Sequence, residues 1–126
     1  LIVRIFLLKS WNDDRGTSAV EFAVVGPAFI ALIVGMLYSC WCLFALGSLH
    51  YAVEQGARCA SVRTAVCSDA GTTVAYAKKQ YFGPNVPTFT YAAAACGNSV
   101  SGSLNYSAQL GVTQVSIPLS ATACFP

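Results

Sequence analysis

Of the 126 residues, 56% are apolar and only 10% are Asp, Glu, Lys or Arg, against about 25% charged residues in an ordinary soluble domain. A formal charge of +2 from seven scattered cations, of which only Lys78 and Lys79 are adjacent, excludes the clustered basic face that nucleic-acid binding requires. The length allows one domain, and the apolar excess is concentrated in a single block, Phe22 to Val53, that contains no Asp, Glu, Lys or Arg.

In chain order, residues 1 to 9 are apolar with two cations, Arg4 and Lys9, and Ser10 to Gly16 is polar. Too short to span a bilayer, residues 1–16 predict a cytoplasmic leader lying at the membrane surface. The apolar block follows. Phe22 to Leu46 would extend roughly 37 Å as a helix, enough to cross about 30 Å of hydrocarbon with some tilt. The run is far longer than the apolar core of about 7 to 15 residues in a secretory signal peptide, so one membrane span is expected. The flanking cations, three before the span and two after, do not set its orientation. Beyond the span, Leu46, Leu49, Val53, Gly56 and Ala60 repeat at three and four residues, and Glu54 precedes Arg58 by four. The helix therefore continues, from Ser18 to about Ser61, as a stalk with an apolar stripe. Residues 17–66 are the expected transmembrane and stalk segment.

Residues 67–126 form the expected second part. Asp69 to Thr73 is a breaker and capping cluster, and Val74, Tyr76, Ala77, Tyr81 and Phe82 predict a short helix stopped by Gly83-Pro84, with Lys78 and Lys79 suited to its C-terminal end. Alternation in Thr88–Tyr91 and in Val112–Ile117 predicts half-exposed strands; the alanine run 92–95 gives no signal for either state. The fold class is thus α+β and membrane-anchored: a long N-terminal transmembrane and stalk helix, a short helix and a small antiparallel sheet.

The string Arg15-Gly16-Thr17-Ser18-Ala19-Val20-Glu21-Phe22 places a glycine five residues before a lone carboxylate at the edge of a long apolar helix. It closely resembles a class III prepilin peptidase site, which would be cut between Gly16 and Thr17. A glycine offers backbone to a protease without a side-chain obstacle. Placing an acid at the centre of a membrane helix costs about 2.5 to 3.5 kcal/mol, so Glu21 needs a partner unless it simply sits at the interface. The resemblance extends over Gly16 through Val66 to the TadE family of pilin-like proteins of tight-adherence (Tad) systems. It is carried by Ser18-Ala19-Val20-Glu21-Phe22-Ala23, Pro27 and Phe29, Gly35, and Gly56-Ala57-Arg58 ahead of Cys59.

The chain has no glycine-rich phosphate loop, no carboxylate pair at helical spacing and no zinc-type double CxxC, so no enzymatic activity, cofactor or metal is expected, and the leading reading is a structural assembly protein. The partners that the resemblance implies are a prepilin peptidase, other Tad pilins and pseudopilins, an inner-membrane assembly platform and the bilayer. Glu21 would pair with the amine that cleavage frees on Thr17 of a neighbouring subunit. Major pilins of this system are shorter, which favours a minor pilin or pseudopilin supporting adhesion. Many family members carry a second glutamate after the position of Gly35; here Met36, Leu37 and Tyr38 are uncharged, so no role of that acid is carried over. Ala23, Pro27, Ala31, Gly35 and Ser39 recur every four residues and would let another helix approach closely. The alternative is ordinary transmembrane composition. Pro27 removes the backbone bond to Ala23 and loosens the helix there.

Cys40 and Cys42 fall in the expected span, on sides about 200° apart. Cys59, Cys67, Cys96 and Cys124 are expected in an oxidising compartment, where three pairings are open. Cys96 with Cys124 is the favoured one. The remaining pair, Cys59 with Cys67, would lie about 12 Å apart in an unbroken helix, beyond the reach of a bridge, so it requires the stalk to end near Cys59. A Cys59–His50 nucleophile, some 13 Å apart along a helix, is a weak rival reading, as is an uncleaved, signal-anchored binding module on the cell surface. Asn105-Tyr106-Ser107 matches a glycosylation sequon, a pattern of low specificity.

Overall fold

A computed structural model describes residues 16–126; the expected leader, apart from Gly16, lies outside the described residues. Helix α1 runs Thr17–Val62, α2 Ala70–Lys79, and three strands follow, β1 Thr88–Ala94, β2 Gly97–Leu110 and β3 Thr113–Phe125. The expected α+β order of long apolar helix, short helix and small antiparallel sheet is the one observed. The chain divides into two compact units, one ending at Leu37 and one comprising Tyr38–Pro126.

In the first unit every residue from Thr17 to Leu37 is exposed except the half-buried Gly26, although the segment is almost wholly apolar. A helix that is greasy on all sides and covered by no protein is suited to lipid. Helix α1 is long and apolar enough to cross a membrane. Its stretch up to Leu37 has 21 residues (37 − 17 + 1), rising about 31 Å, which matches the hydrocarbon thickness.

In the second unit α1 acquires a buried side. Ala45, Leu49, Ala52, Val53, Gly56 and Ala57 are buried, a spacing of four, three, one, three and one that lines a single helical face. They form the core with Phe89, Val100, Leu104, Tyr106, Ala108, Leu119 and Ala121 from the sheet and Ala77 from α2. The expected stripe is therefore real at Leu49, Val53 and Gly56, with Leu46 and Ala60 on its half-buried margins. At the end of the expected span, Ala45 is fully buried and Leu46 packs against the protein core. Cys40 and Cys42 likewise belong to the second unit, both as free thiols, with Cys42 packed against its core.

The sheet is an antiparallel meander with β2 in the centre. Two-residue turns, Ala95-Cys96 and Gly111-Val112, join the strands, which pair Ala94 with Gly97 and Leu110 with Thr113. Gly111 has φ +65°, the first central position of a II′-type hairpin. Gly97 has φ +119°, and a Cβ there would lie 2.3 Å from the Phe125 carbonyl oxygen. The Leu110–Thr113 pair that closes the β2–β3 hairpin exchanges ladder hydrogen bonds, so odd residues of β3 direct their backbone groups toward β2 and even residues direct theirs outward. Pro118 consequently points its missing N–H at the open edge of β3. That position guards the edge against further strand pairing.

Hydrogen bonds fix α1 to the sheet at both ends. The Tyr38 hydroxyl donates to the Gln109 carbonyl at 3.0 Å, and the Ser61 hydroxyl donates to the Phe125 carbonyl at 3.0 Å while accepting from the Asn98 side-chain amide at 2.9 Å. Twenty-three helical steps at about 1.5 Å and eleven strand steps at about 3.3 Å both come to roughly 35 Å. The stretch Tyr38–Ser61 of α1 thus matches Asn98–Gln109 of β2 in length and runs in the opposite direction.

Asp69 caps α2 in a reciprocal box. Its carboxylate accepts from the Thr72 N–H at 2.8 Å, and its own N–H donates to the Thr72 hydroxyl at 3.1 Å. These bonds from Thr72 hold the Asp69 carboxyl below its ordinary range. Lys78 and Lys79 occupy the last turn, as the helix dipole favours. The helix is earlier than expected: it ends at Lys79, so Tyr81 and Phe82 lie in the connection to β1, where the Tyr81 hydroxyl donates to the Pro84 carbonyl at 2.7 Å. Burial pushes the Tyr81 hydroxyl above its ordinary range.

Candidate functional site: the amino end of the anchor helix

Gly16 immediately precedes α1, which starts at Thr17. Thr17 and Glu21 are four apart, one turn up the same side of the helix, and both are exposed. A carboxylate in the opening turns also faces the positive end of the helix dipole. Phe22 follows, 78% exposed. The amino end therefore offers a small residue, a hydroxyl and an acid on accessible backbone, followed at once by an apolar rod.

Ala23, Pro27, Ala31 and Gly35 lie farther along the first unit, all exposed, and Ser39 falls in the second. A strict four-residue row is not a straight stripe. It follows the i, i+4 ridge, inclined by about 26° to the helix axis, so a neighbouring helix would meet it at a crossing angle. An added Cβ at Gly35 would meet nothing within 4 Å. Around Gly26 and Pro27 the surface dips into an apolar concavity of about 370 Å³ flanked by Phe22, Phe29 and Ile30. Pro27 sits inside the helix, where it removes one rung of the backbone ladder.

The cysteines outside this region form two bridges, Cys59–Cys67 with Cα atoms 5.8 Å apart and Cys96–Cys124 at 6.1 Å. Helix α1 ends three residues past Cys59, and the turn that follows, with the Val66 and Cys67 N–H groups both donating to the Arg63 carbonyl at 2.9 Å, brings Cys67 back to Cys59. Since Cys59 is bridged and buried, it offers no thiolate to His50.

Among the described residues, one apolar helix fits membrane anchoring and continues into a small disulfide-bridged α+β unit, the build of a membrane-anchored protein. Residues 16–58 match the family model described as TadE-like protein, the family whose resemblance the sequence carries. The match begins at Gly16, contains the whole lipid-suited part of α1, and stops at Arg58, before the sheet. It points to a protein associated with the Tad pilus. No curated protein and no solved structure matches the chain.

Proposed function

We propose that the protein is a minor pilin or pseudopilin of a Tad system, released from its leader by a prepilin peptidase that cuts between Gly16 and Thr17. The single supporting observation that carries most weight is the register of three features. The TadE-like match starts at Gly16, helix α1 starts at Thr17, and Glu21 stands exposed one turn later. Cleavage frees an amine at Thr17, which pairs with Glu21 of a neighbouring subunit as the helices pack in lipid. In that environment an acid needs such a partner. The slanted row Ala23, Pro27, Ala31, Gly35 and Ser39 is the packing surface. The leader is cytoplasmic and the second unit extracytoplasmic, on the far side of the inner membrane, an orientation supported by its two disulfides, which persist in oxidising compartments. The work of the protein is mechanical and interfacial. It primes or joins a filament on the assembly platform and supports surface attachment.

Co-expression with the cognate prepilin peptidase tests this reading. Intact-mass analysis is expected to show loss of residues 1–16 from the parent chain and retention of the full mass when Gly16 is replaced by a bulky residue. An uncut parent chain would reject the pilin reading in favour of a signal-anchored surface module.

A further inference from the structure

We propose that the tip of the β2–β3 hairpin is a second membrane contact, with Leu110 and Val112 resting in the interfacial layer of the leaflet from which the anchor helix emerges. The inference rests on the membrane-anchored reading of α1. Strands β2 and β3 outrun β1, which pairs only with Gly97 to Ser103, while Leu104–Leu110 continues with Thr113–Leu119 alone. The projecting end is apolar where a water-exposed turn is ordinarily polar. Val112 is 105% exposed and Leu110 46%.

The position of this end is set by Tyr38, whose hydroxyl bonds to the Gln109 carbonyl one residue from Leu110. Tyr38 is also the residue directly after Leu37, the end of the stretch that matches the hydrocarbon thickness. The tip is therefore tied to the first residue of the second unit, where the anchor segment ends. Charge points the same way. From Gln80 to Pro126 the chain contains no Asp, Glu, Lys, Arg or His, so no side-chain charge on the hairpin opposes transfer from water. Gln109, Thr113 and Gln114 supply neutral polar groups for the head-group layer, and the exposed Trp41 belongs to the residue class enriched at membrane interfaces. The opposite end of the unit, near Ser61, holds Arg58, Arg63 and Asp69.

The test uses the full chain in phosphatidylcholine vesicles, with Trp11→Phe and Trp41→Phe leaving a dark background for one reporter, Val112→Trp, or Ala95→Trp in the turn at the other end of the sheet. Mass analysis first establishes that both disulfides are intact. With brominated phosphatidylcholine, V112W emission is expected to shift to the blue and lose intensity, and A95W emission to do neither. An unquenched V112W in a chain that stays with the vesicles overturns the hairpin contact alone. A blue shift without bromine quenching does so too and assigns the tip to protein–protein contact. A chain washed off by carbonate overturns the anchor and the contact together. Val112→Asp provides a reading without added indole: the 110–113 amides should exchange faster in vesicles than those of the parent, and equal exchange overturns the proposal.

Discussion

The packing of α1 on the sheet hinges on one close approach, and a double-mutant cycle tests it. A Cβ at Gly102 would lie 2.8 Å from Leu49 Cδ1 and 2.9 Å from Phe89 Cε1, so Gly102→Ala overpacks the core at a cost of about 1–3 kcal/mol. Leu49 is fully buried, and Leu49→Ala leaves a cavity costing about 2–5 kcal/mol. In the double variant the new methyl at 102 faces the space that Leu49 vacated, and only the Phe89 clash remains. Roughly half of the overpacking cost is then relieved, so the double variant should be more stable than the sum of the singles by about 0.5–1.5 kcal/mol. The assay is denaturant unfolding in mild detergent with both bridges intact, followed by near-ultraviolet circular dichroism. Additivity of the two single effects, within about 0.3 kcal/mol, would refute the direct contact between Leu49 and Gly102.

Two further outcomes follow from local chemistry. In the loop-entropy account, opening the Cys96–Cys124 bridge, separation 28, costs about 3.6 kcal/mol and opening Cys59–Cys67, separation 8, about 2.5 kcal/mol. Paired serine variants should therefore rank in that order in unfolding midpoint. For Asp69 the folded-state pKa lies below the ordinary value. Its contribution is fully present above the unfolded value of about 3.9 and is lost as pH falls through the lower folded one. Asp69→Asn keeps a capping acceptor but removes this dependence, so stability titrations of variant and parent should diverge in slope below about pH 4; parallel curves would count against the cap's role.

The sequence made the long helix legible because Phe22 to Val53 carries no charge, and its end at Val62 is one residue past the expected one. What it hid is where lipid gives way to protein. The face of Ala45, Leu49 and Val53 that meets the sheet is as apolar as the face of Val24 and Leu32 left bare, so composition cannot separate two solvents of equal greasiness. For the same reason an expected boundary at residue 66 follows the helix end, whereas the compact unit takes in α1 from Tyr38. Strand β2 is only weakly marked by propensity. Its inward positions, Val100, Gly102, Leu104, Tyr106 and Ala108, include a glycine and an alanine, chosen for closeness to the helix rather than for strand propensity. Alternation marks β1 at Thr88–Tyr91 and β3 within Val112–Ile117, yet both run farther, and Val112 itself belongs to the turn. The amino-terminal motif is a matter of local sequence, and the TadE-like match begins within it, at Gly16. The cysteine partners became unambiguous only once the chain reversed after Val62.

The matched stretches Tyr38–Ser61 of α1 and Asn98–Gln109 of β2, fastened at both ends, govern how the unit answers to tension. A pull along the helix axis from the anchor loads the whole row of contacts from Ala45 to Ala57 in shear, at the same time, rather than peeling them one after another. Rupture then demands simultaneous loss of the entire seam, and the Cys59–Cys67 bridge keeps the far end of the helix from fraying under the strain.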